Sequence, residues 1–165
     1  MSFSGDFLKG IQTARKAEVD RAAIRSVLAE YDASLRSETD GVVAIKLESR
    51  TERVDDERTD ILGAIGMTMR ALNPKFNSFT ALVVSNVAHS DFAGRVVCRW
   101  KESPSGFPCT LRFEGKEITA VDIKGLHRAL SELASSSGMG EAVLAALHHV
   151  PAIQLSSADE DEDFA

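Results

Sequence analysis

A chain of 165 residues with 44% hydrophobic and 27% charged residues has the length and composition of one globular domain that needs no disulfide or metal to fold. No apolar run reaches membrane-spanning length, and the N-terminal residues lack the basic and apolar regions of a secretion signal. Two cysteines fit a reducing compartment, so we expect a cytoplasmic protein that binds no membrane. Of the 25 acidic residues, five stand together at Asp159 to Asp163; the remaining 20 nearly balance 19 basic residues, so the net charge of −6 belongs mainly to the C-terminus.

The first predicted element is a long helix from about Phe7 to Arg36. Its apolar residues recur every three or four positions, and neither proline nor glycine interrupts the pattern after Gly10. A continuous helix of this length spans about 45 Å, which exceeds the width of a domain of this size. Either the helix breaks near Val19 and Asp20, where the sequence is most polar, or one end projects beyond the domain.

Four apolar residues in this helix follow the four-three-four spacing of a coiled-coil seam: Ile24, Leu28, Tyr31 and Leu35. The seam covers only about two heptads, which is too short to be stable in isolation. It must therefore pack on the chain's own sheet or on a second copy of the chain. The length of the helix favours a second copy, so these four residues are the predicted interface of a homo-oligomer, most simply a homodimer.

The next segments alternate between strands and a charged loop. Val42 to Ser49 has the period-two alternation of a strand, and Arg50 to Asp60 is so rich in charge that it is predicted to be a solvated loop. The apolar residues of Ile61 to Leu72 fit both a helix and a strand; length and composition favour a helix. Phe79 to Val87 has apolar residues at consecutive positions, which indicates a central strand covered on both faces.

The clearest pattern in the chain is a β-hairpin between Gly94 and Phe113. Its first strand has apolar or sulfur-bearing side chains at even positions and its second strand at odd positions, with Val97 as the one exception. We expect a turn of four residues between Lys101 and Gly106. The predicted cross-strand pairs are Trp100 with Phe107, Cys98 with Cys109 and Val96 with Leu111. Both cysteines are therefore predicted to be reduced and at least partly buried.

The reverse face of the hairpin carries basic and hydroxyl side chains: Arg95, Arg99, Lys101, Thr110 and Arg112. One interpretation is a solvated outer face of a sheet whose other side is covered by helices. The other is a surface that binds anions such as the phosphates of nucleic acid. Trp100 and Phe107 share the parity of the core and are not predicted to stack on bases. The predicted nucleic-acid contacts are Arg95, Arg99, Lys101 and Arg112.

A short strand and two helices follow the hairpin. Glu117 to Val121 is predicted as the last strand, and Asp122 is placed to cap a helix whose apolar stripe packs on the hairpin. A further helix runs from Met139 to Val150. The order of elements predicts an α+β domain over residues 1–151, in which a mainly antiparallel sheet packs on one face against a long N-terminal helix and two C-terminal helices.

Residues 152–165 are predicted to be a disordered acidic tail, because they contain too little apolar surface to fold. The tail ends in a run of carboxylates and an aromatic residue: Asp159, Glu160, Asp161, Glu162, Asp163 and Phe164. This ending resembles the acidic tips of bacterial and phage single-stranded-DNA-binding proteins, although those tips finish with the aromatic residue and Ala165 follows it here. The resemblance implies that the carboxylates compete with nucleic acid for a basic face and that Phe164 binds in a pocket of a partner protein. The alternative is a tail that only keeps the protein in solution.

No motif predicts catalysis, a cofactor or a metal site. The histidines and cysteines lack the paired short spacings of a zinc site, and His89-Ser90-Asp91 lacks the Gly-x-Ser-x-Gly elbow of a serine hydrolase. We therefore predict a non-enzymatic binding protein, an accessory factor of DNA or RNA metabolism that binds single-stranded nucleic acid. The alternative is an inhibitor, immunity, anti-defence or escort protein that binds a partner protein through its acidic surface.

Overall fold

The computed structural model describes residues 3–54 and 75–151. Its elements are α1 (Ser4–Glu38), β1 (Val43–Arg53), β2 (Phe76–Asn86), β3 (Arg95–Ser103), β4 (Gly106–Phe113), β5 (Lys116–Ala120), α2 (Ile123–Ala134) and α3 (Ser137–Leu147). This is the predicted α+β arrangement of a long helix, an antiparallel sheet and two C-terminal helices. The predictions for residues 55–74 and for the tail at 152–165 lie outside the described residues. In the described part of the chain, no helix combines the length and apolar character needed to cross a membrane.

The five strands form one antiparallel sheet in which every strand pairs with its neighbour in sequence, in the order β1-β2-β3-β4-β5. In β2 the four consecutive residues from Ala81 to Val84 are buried, so both faces of this strand are covered there, as its sequence predicts. β1 extends to Arg53 through its pairing with β2, although the sequence pattern predicts a loop from Arg50 onward. A tertiary contact thus extends a strand whose local sequence is too polar to indicate one.

The core lies between one face of the sheet and the three helices. α1 packs on β1 and β4, α2 on β4 and β5, and α3 on β1, β2 and β3. Its largest fully buried apolar side chains come from α1, the sheet and α2: Ile24, Val43, Leu82, Val84, Leu111, Leu126 and Leu133. Fully burying one such side chain contributes about 1.5–3 kcal/mol, so this layer supplies much of the stability of the fold.

Side-chain caps fix where α2 and α3 begin. The Asp122 carboxylate accepts a 2.7 Å hydrogen bond from the backbone N–H of Gly125. At the start of α3, Glu114 in the β4–β5 turn accepts a 2.6 Å bond from the N–H of Gly138 and a 2.8 Å bond from the Ser137 hydroxyl. These two donors, the backbone N–H first, lower the pKa of Glu114. The β4–β5 turn is thereby attached to the first turn of α3.

α1 is continuous over 35 residues and does not break near Val19 and Asp20. At about 1.5 Å per residue it is about 52 Å long. Its first buried residue is Ala17, and every residue from Phe3 to Lys16 is exposed. The projecting end that the sequence offers as an alternative to a break is therefore present.

The predicted oligomer seam of α1 contacts the core of its own molecule. Ile24 is 0% exposed in the core, and Leu28, Tyr31 and Leu35 pack against the same cluster. Ile24 therefore makes an intramolecular contact and has no surface left for a second copy. Leu28, Tyr31 and Leu35 are only partly buried, so their place in an interface between copies stays a prediction.

The hairpin of β3 and β4 has the predicted parity but not the predicted register. Trp100 lies opposite Leu111, and Arg99 lies opposite Arg112, so the pairing differs by four residues from the predicted one. An even shift does not exchange faces, so the hairpin side chains from Cys98 onward keep their predicted faces. The turn is shorter than expected because Gly106 adopts φ +95°, a left-handed conformation that closes a tight turn directly after Pro104 and Ser105.

Val97, which interrupts the alternation in the sequence, lies at a β-bulge. Leu82 pairs with Cys98 while Val83 pairs with Val96, so β3 has one extra residue between these pairs. Beyond the bulge the faces exchange: Val96 is 45% exposed, and Arg95 lies opposite the core residue Val84. Because cross-strand partners share a face, Arg95 lies on the side of the sheet that bears the helices. The prediction that it shares a face with Arg99 was wrong.

Both cysteines are free and buried, as predicted, although they do not face each other. Burial raises the pKa of Cys98 to about 11 and that of Cys109 to about 12. Because only the thiolate reacts, the raised pKa of Cys98 lowers its reactivity at pH 8 by roughly 100-fold before steric protection is added, and the higher pKa of Cys109 lowers its reactivity further. We expect a bulky disulfide reagent to label both thiols in urea and neither in the native protein over the same minutes. Rapid native labelling would contradict this packing.

Candidate nucleic-acid interface

The sheet face opposite the helices, here called the open face, carries charged side chains from four strands. One row crosses the whole sheet through successive cross-strand pairs: Glu117, Arg112, Arg99, Ala81 and Glu48. Strand alternation adds further charged residues above and below this row. The basic residues of the open face are Lys46, Arg50, Arg99, Lys101 and Arg112. The acidic ones are Glu48, Glu52 and Glu117. Basic side chains therefore outnumber acidic ones on this surface.

Three of the four predicted nucleic-acid contacts lie together on this face, namely Arg99, Lys101 and Arg112, and Arg95 does not. The structure adds Lys46 and Arg50 from β1. Alternation within β1 already predicts that Lys46 faces away from the apolar residues. Its proximity to the hairpin depends on the pairing of β1 with β2, which no local pattern indicates.

The arginines of the open face are held by carboxylates on the same face. Arg99 pairs with Glu52, and Arg112 lies 2.5 Å from Glu117. Lys46 and Arg50 both contact Glu48, at 3.1 and 2.9 Å. Exposed ion pairs of this kind contribute about 0–1 kcal/mol each, so an arriving phosphate can replace a carboxylate at small cost.

Lys101 differs from these neighbours. Within residues 3–54 and 75–151 it forms no ion pair, and its cross-strand partner is the neutral Thr110. Its ammonium group is exposed and needs no prior displacement of a carboxylate. Lys101 is therefore the basic residue of the open face that an anion can approach most directly.

A cleft of about 480 Å³ opens between the start of β3 and the β4–β5 turn. The pairing of β3 with β4 stops at Arg99 and Arg112, and beyond that pair the bulged strand separates from its neighbour. Three basic side chains line the cleft: Arg99, Arg112 and Lys116. Its acidic lining residues are Glu114 and Glu117. Arginine guanidinium groups on two strands can bind a phosphate between them with paired N–H donors.

The aromatic residues of the hairpin belong to the core, as predicted. Trp100 is 5% exposed with its indole N–H 3.3 Å from Glu102, and Phe107 packs against the core cluster. Phe79 lies on the open face, where the Arg99 guanidinium stacks 4.2 Å from its ring centre. In the described strands, therefore, Phe79 offers one ring beneath an arginine and not a row of stacking platforms.

The polar cluster around His149 connects β2 with α3. The Asn86 amide donates to the Ala146 carbonyl at 2.8 Å, and its oxygen accepts from the N–H groups of Ala88 and His89. His149 contacts Asp91 at 2.9 Å. Across residues 3–54 and 75–151, no group of three histidine, cysteine or carboxylate side chains is arranged to hold a metal ion.

Protein-family models, curated proteins and solved structures were each compared with the chain, and none matches it. The predicted partner-binding residues Asp159 to Phe164 lie outside the described part of the chain. Function must therefore be argued from the open face and its cleft.

Proposed function

We propose that the protein is a non-enzymatic binding protein of the cytoplasm, an accessory factor of DNA or RNA metabolism that binds the phosphates of single-stranded nucleic acid on its open face. The observation that carries the proposal is the cleft lined by Arg99, Arg112 and Lys116. Lys101, which forms no ion pair with the described residues, follows Arg99 two positions later on β3. Arg95 is not part of this surface. The partners of the protein in this proposal are single-stranded nucleic acid, a second protein and a second copy of the chain.

Binding in this proposal exchanges carboxylates for phosphates. The backbone of a single strand crosses β3 and β4, one phosphate enters the cleft between Arg99 and Arg112, and another contacts Lys101. Glu52 and Glu117 then lose their arginine partners and become solvated, which costs little because their ion pairs are exposed. Such contacts are independent of sequence and weaken as salt rises.

The acidic tail limits this binding in the same proposal. The five carboxylates from Asp159 to Asp163 compete with phosphates for the open face, and Phe164 binds in a pocket of a partner protein. A partner that takes the tail would thereby free the basic residues for nucleic acid.

A binding titration with fluorescent single-stranded DNA at several salt concentrations tests the proposal. The chain without residues 159–165 should bind more tightly than the full chain, and its affinity should fall with salt at a log–log slope of roughly −0.7 per phosphate contact. In this truncated chain, Lys101→Glu should weaken binding about 10-fold or more and make the slope shallower. No affinity of the truncated chain at low salt would contradict the proposal.

Arg95→Glu is the matched control, because it makes the same charge change on the same strand but on the helix-bearing side of the sheet. It should change the affinity by no more than about 2-fold, which measures the effect of net charge alone. Equal losses from the two variants would mean that the open face is not the binding surface. The alternative function, binding of a partner protein through acidic residues, would then be favoured by the carboxylates Glu48, Glu52 and Glu117, which share this face with the basic residues.

A further inference from the structure

The projecting end of α1 exposes large apolar side chains. Phe3, Phe7, Leu8 and Ile11 are 65%, 71%, 61% and 50% exposed. They lie within about two and a half turns of one helix that the domain does not contact, so they form a continuous patch. Continuous exposed apolar patches on a domain of this size indicate a binding surface.

The patch lies beside the face of α1 that packs on the sheet, not on it. At 100° per residue, Phe3, Phe7, Ile11 and Ala14 fall within an arc of about 80°, and Leu8 extends the arc on one side. This stripe lies about 100° around the helix from Ile24, which packs on the sheet. Polar residues occupy the opposite side: Lys9, Gln12, Thr13 and Lys16. Among the described residues, therefore, the core of the domain does not cover the stripe.

We propose that this stripe binds the same stripe of a second copy, with the two helices antiparallel from Phe3 to Glu18. In the antiparallel register in which the numbers of two facing residues add up to 21, Phe7 lies opposite the partner's Ala14, and Ile11 lies opposite the partner's Gly10. These two large side chains thus each meet a small one. Nothing of the protein itself lies within 4 Å of where a Cβ on Gly10 would be, so the space beside it is open to a partner side chain. A parallel pair would instead place phenylalanine against phenylalanine and glycine against glycine.

Charge complementarity also favours the antiparallel pair. Glu18 lies on the same side of the helix as the stripe and reaches the first turn of the partner's helix. Phe3 is the N-cap of α1, and no side chain caps this helix end with a hydrogen bond. The N-terminal end of a helix carries a partial positive charge that a carboxylate stabilises. Each copy thus supplies one carboxylate to the other copy's helix start.

The area of this contact predicts a reversible dimer. A phenylalanine can bury roughly 150–250 Å² when it is fully covered. A contact that covers one side of Phe3, Phe7, Leu8 and Ile11 in both copies buries roughly 800–1000 Å² in total. This is below the roughly 1,200–2,000 Å² of stable interfaces and falls in the range of weak, transient ones. Because the helix is already formed as part of a 35-residue element, little ordering is needed on association. We expect half-dissociation at roughly 10 μM.

Sedimentation velocity of the full chain from about 1 to 300 μM tests the proposal. The unmodified protein should shift from monomer to dimer across this range, and Phe7→Glu/Ile11→Glu should raise the dissociation constant at least about 30-fold. Lys9→Gln/Gln12→Glu makes the same charge change of two on the opposite side and should leave the dissociation constant within about 2-fold. All replaced residues are exposed, so circular dichroism should show unchanged folding in both variants. A monomer throughout the range would overturn the proposal.

Introduced cysteines test the orientation, because the native thiols are buried. In a mixture of Phe7→Cys and Ala14→Cys chains, mild oxidation should join the two different variants faster than it joins identical chains. Faster joining of identical chains would indicate a parallel pair and overturn the antiparallel arrangement. A chain that stays monomeric but co-sediments with vesicles of phosphatidylcholine and phosphatidylglycerol would show a lipid-binding stripe and would overturn the dimer as well.

Discussion

Ile24→Asp should leave the chain unfolded at 25 °C, whereas Val19→Asp on the same helix should have almost no effect on stability. Ile24 is 0% exposed beneath the sheet, and Val19 is 67% exposed. The first substitution removes a buried apolar side chain and places an unpaired carboxylate in the core, for a combined loss of about 5 kcal/mol or more. That loss reaches the total stability of many domains. The second should change the free energy of unfolding by no more than about 0.5 kcal/mol.

Far-UV circular dichroism and urea denaturation of the two variants measure this difference. The experiment also decides where the apolar seam of α1 packs. If Ile24→Asp gave a folded monomer while the unmodified protein formed a dimer, the seam would lie between copies and the intramolecular contact would be refuted.

Gly106→Ala should reduce the free energy of unfolding by about 2–5 kcal/mol, for two separate reasons. Gly106 has φ +95°, which side chains other than glycine rarely adopt. A Cβ at this position would also lie 2.9 Å from the Cβ of Asp20 and 3.2 Å from the backbone N of Arg21, in the middle of α1. The substitution would therefore separate the hairpin turn from the long helix.

Gly115→Ala is the matched control, because Gly115 also has a positive φ, +73°, but nothing lies within 4 Å of its added Cβ. It should cost about 1 kcal/mol from backbone strain alone. The difference between the two variants in urea denaturation then measures the close approach of the turn to α1. Equal losses would show that the helix does not constrain the turn.

From Cys98 onward, period-two alternation was sufficient to predict which hairpin side chains share a face, because burial acts on every second residue of a strand. It could not predict the register. Shifts of two or four residues leave each face unchanged, so the alternation is compatible with several turns. The left-handed conformation of Gly106 fixes which of these turns forms. The sequence alone did not indicate which of its glycines would adopt this conformation.

The misplacement of Arg95 has a specific physical cause. A bulge moves one residue out of register and exchanges the faces of all residues before it. In the sequence, the only trace of this event is Val97, an apolar residue at a polar position. If Val97 is treated as an isolated exception, Arg95 and Arg99 are predicted to share a face. If it is treated as a bulge, they are predicted to lie on opposite faces of the sheet.

The sequence alone could predict only part of the candidate site, because the site is built from strands that come together through tertiary pairing. Arg99, Lys101 and Arg112 belong to one hairpin, and local alternation is enough to group them. Lys46 and Arg50 join them through β2, whose partners local sequence does not specify. The intramolecular packing of Ile24 was likewise undetermined, since an apolar stripe indicates that a helix is covered but not by what.

The order of strands in the sheet bears on how the chain folds. Because neighbours in the sheet are neighbours in sequence, each pairing of β2 through β5 closes only a short loop, and local closure has a small entropic cost. The contacts of α1 with β4 and α2 instead join residues roughly 100 positions apart. The β2–β5 meander can therefore form early as a local unit, and the docking of the long helix, which depends on the most distant contacts, is the natural last step of folding.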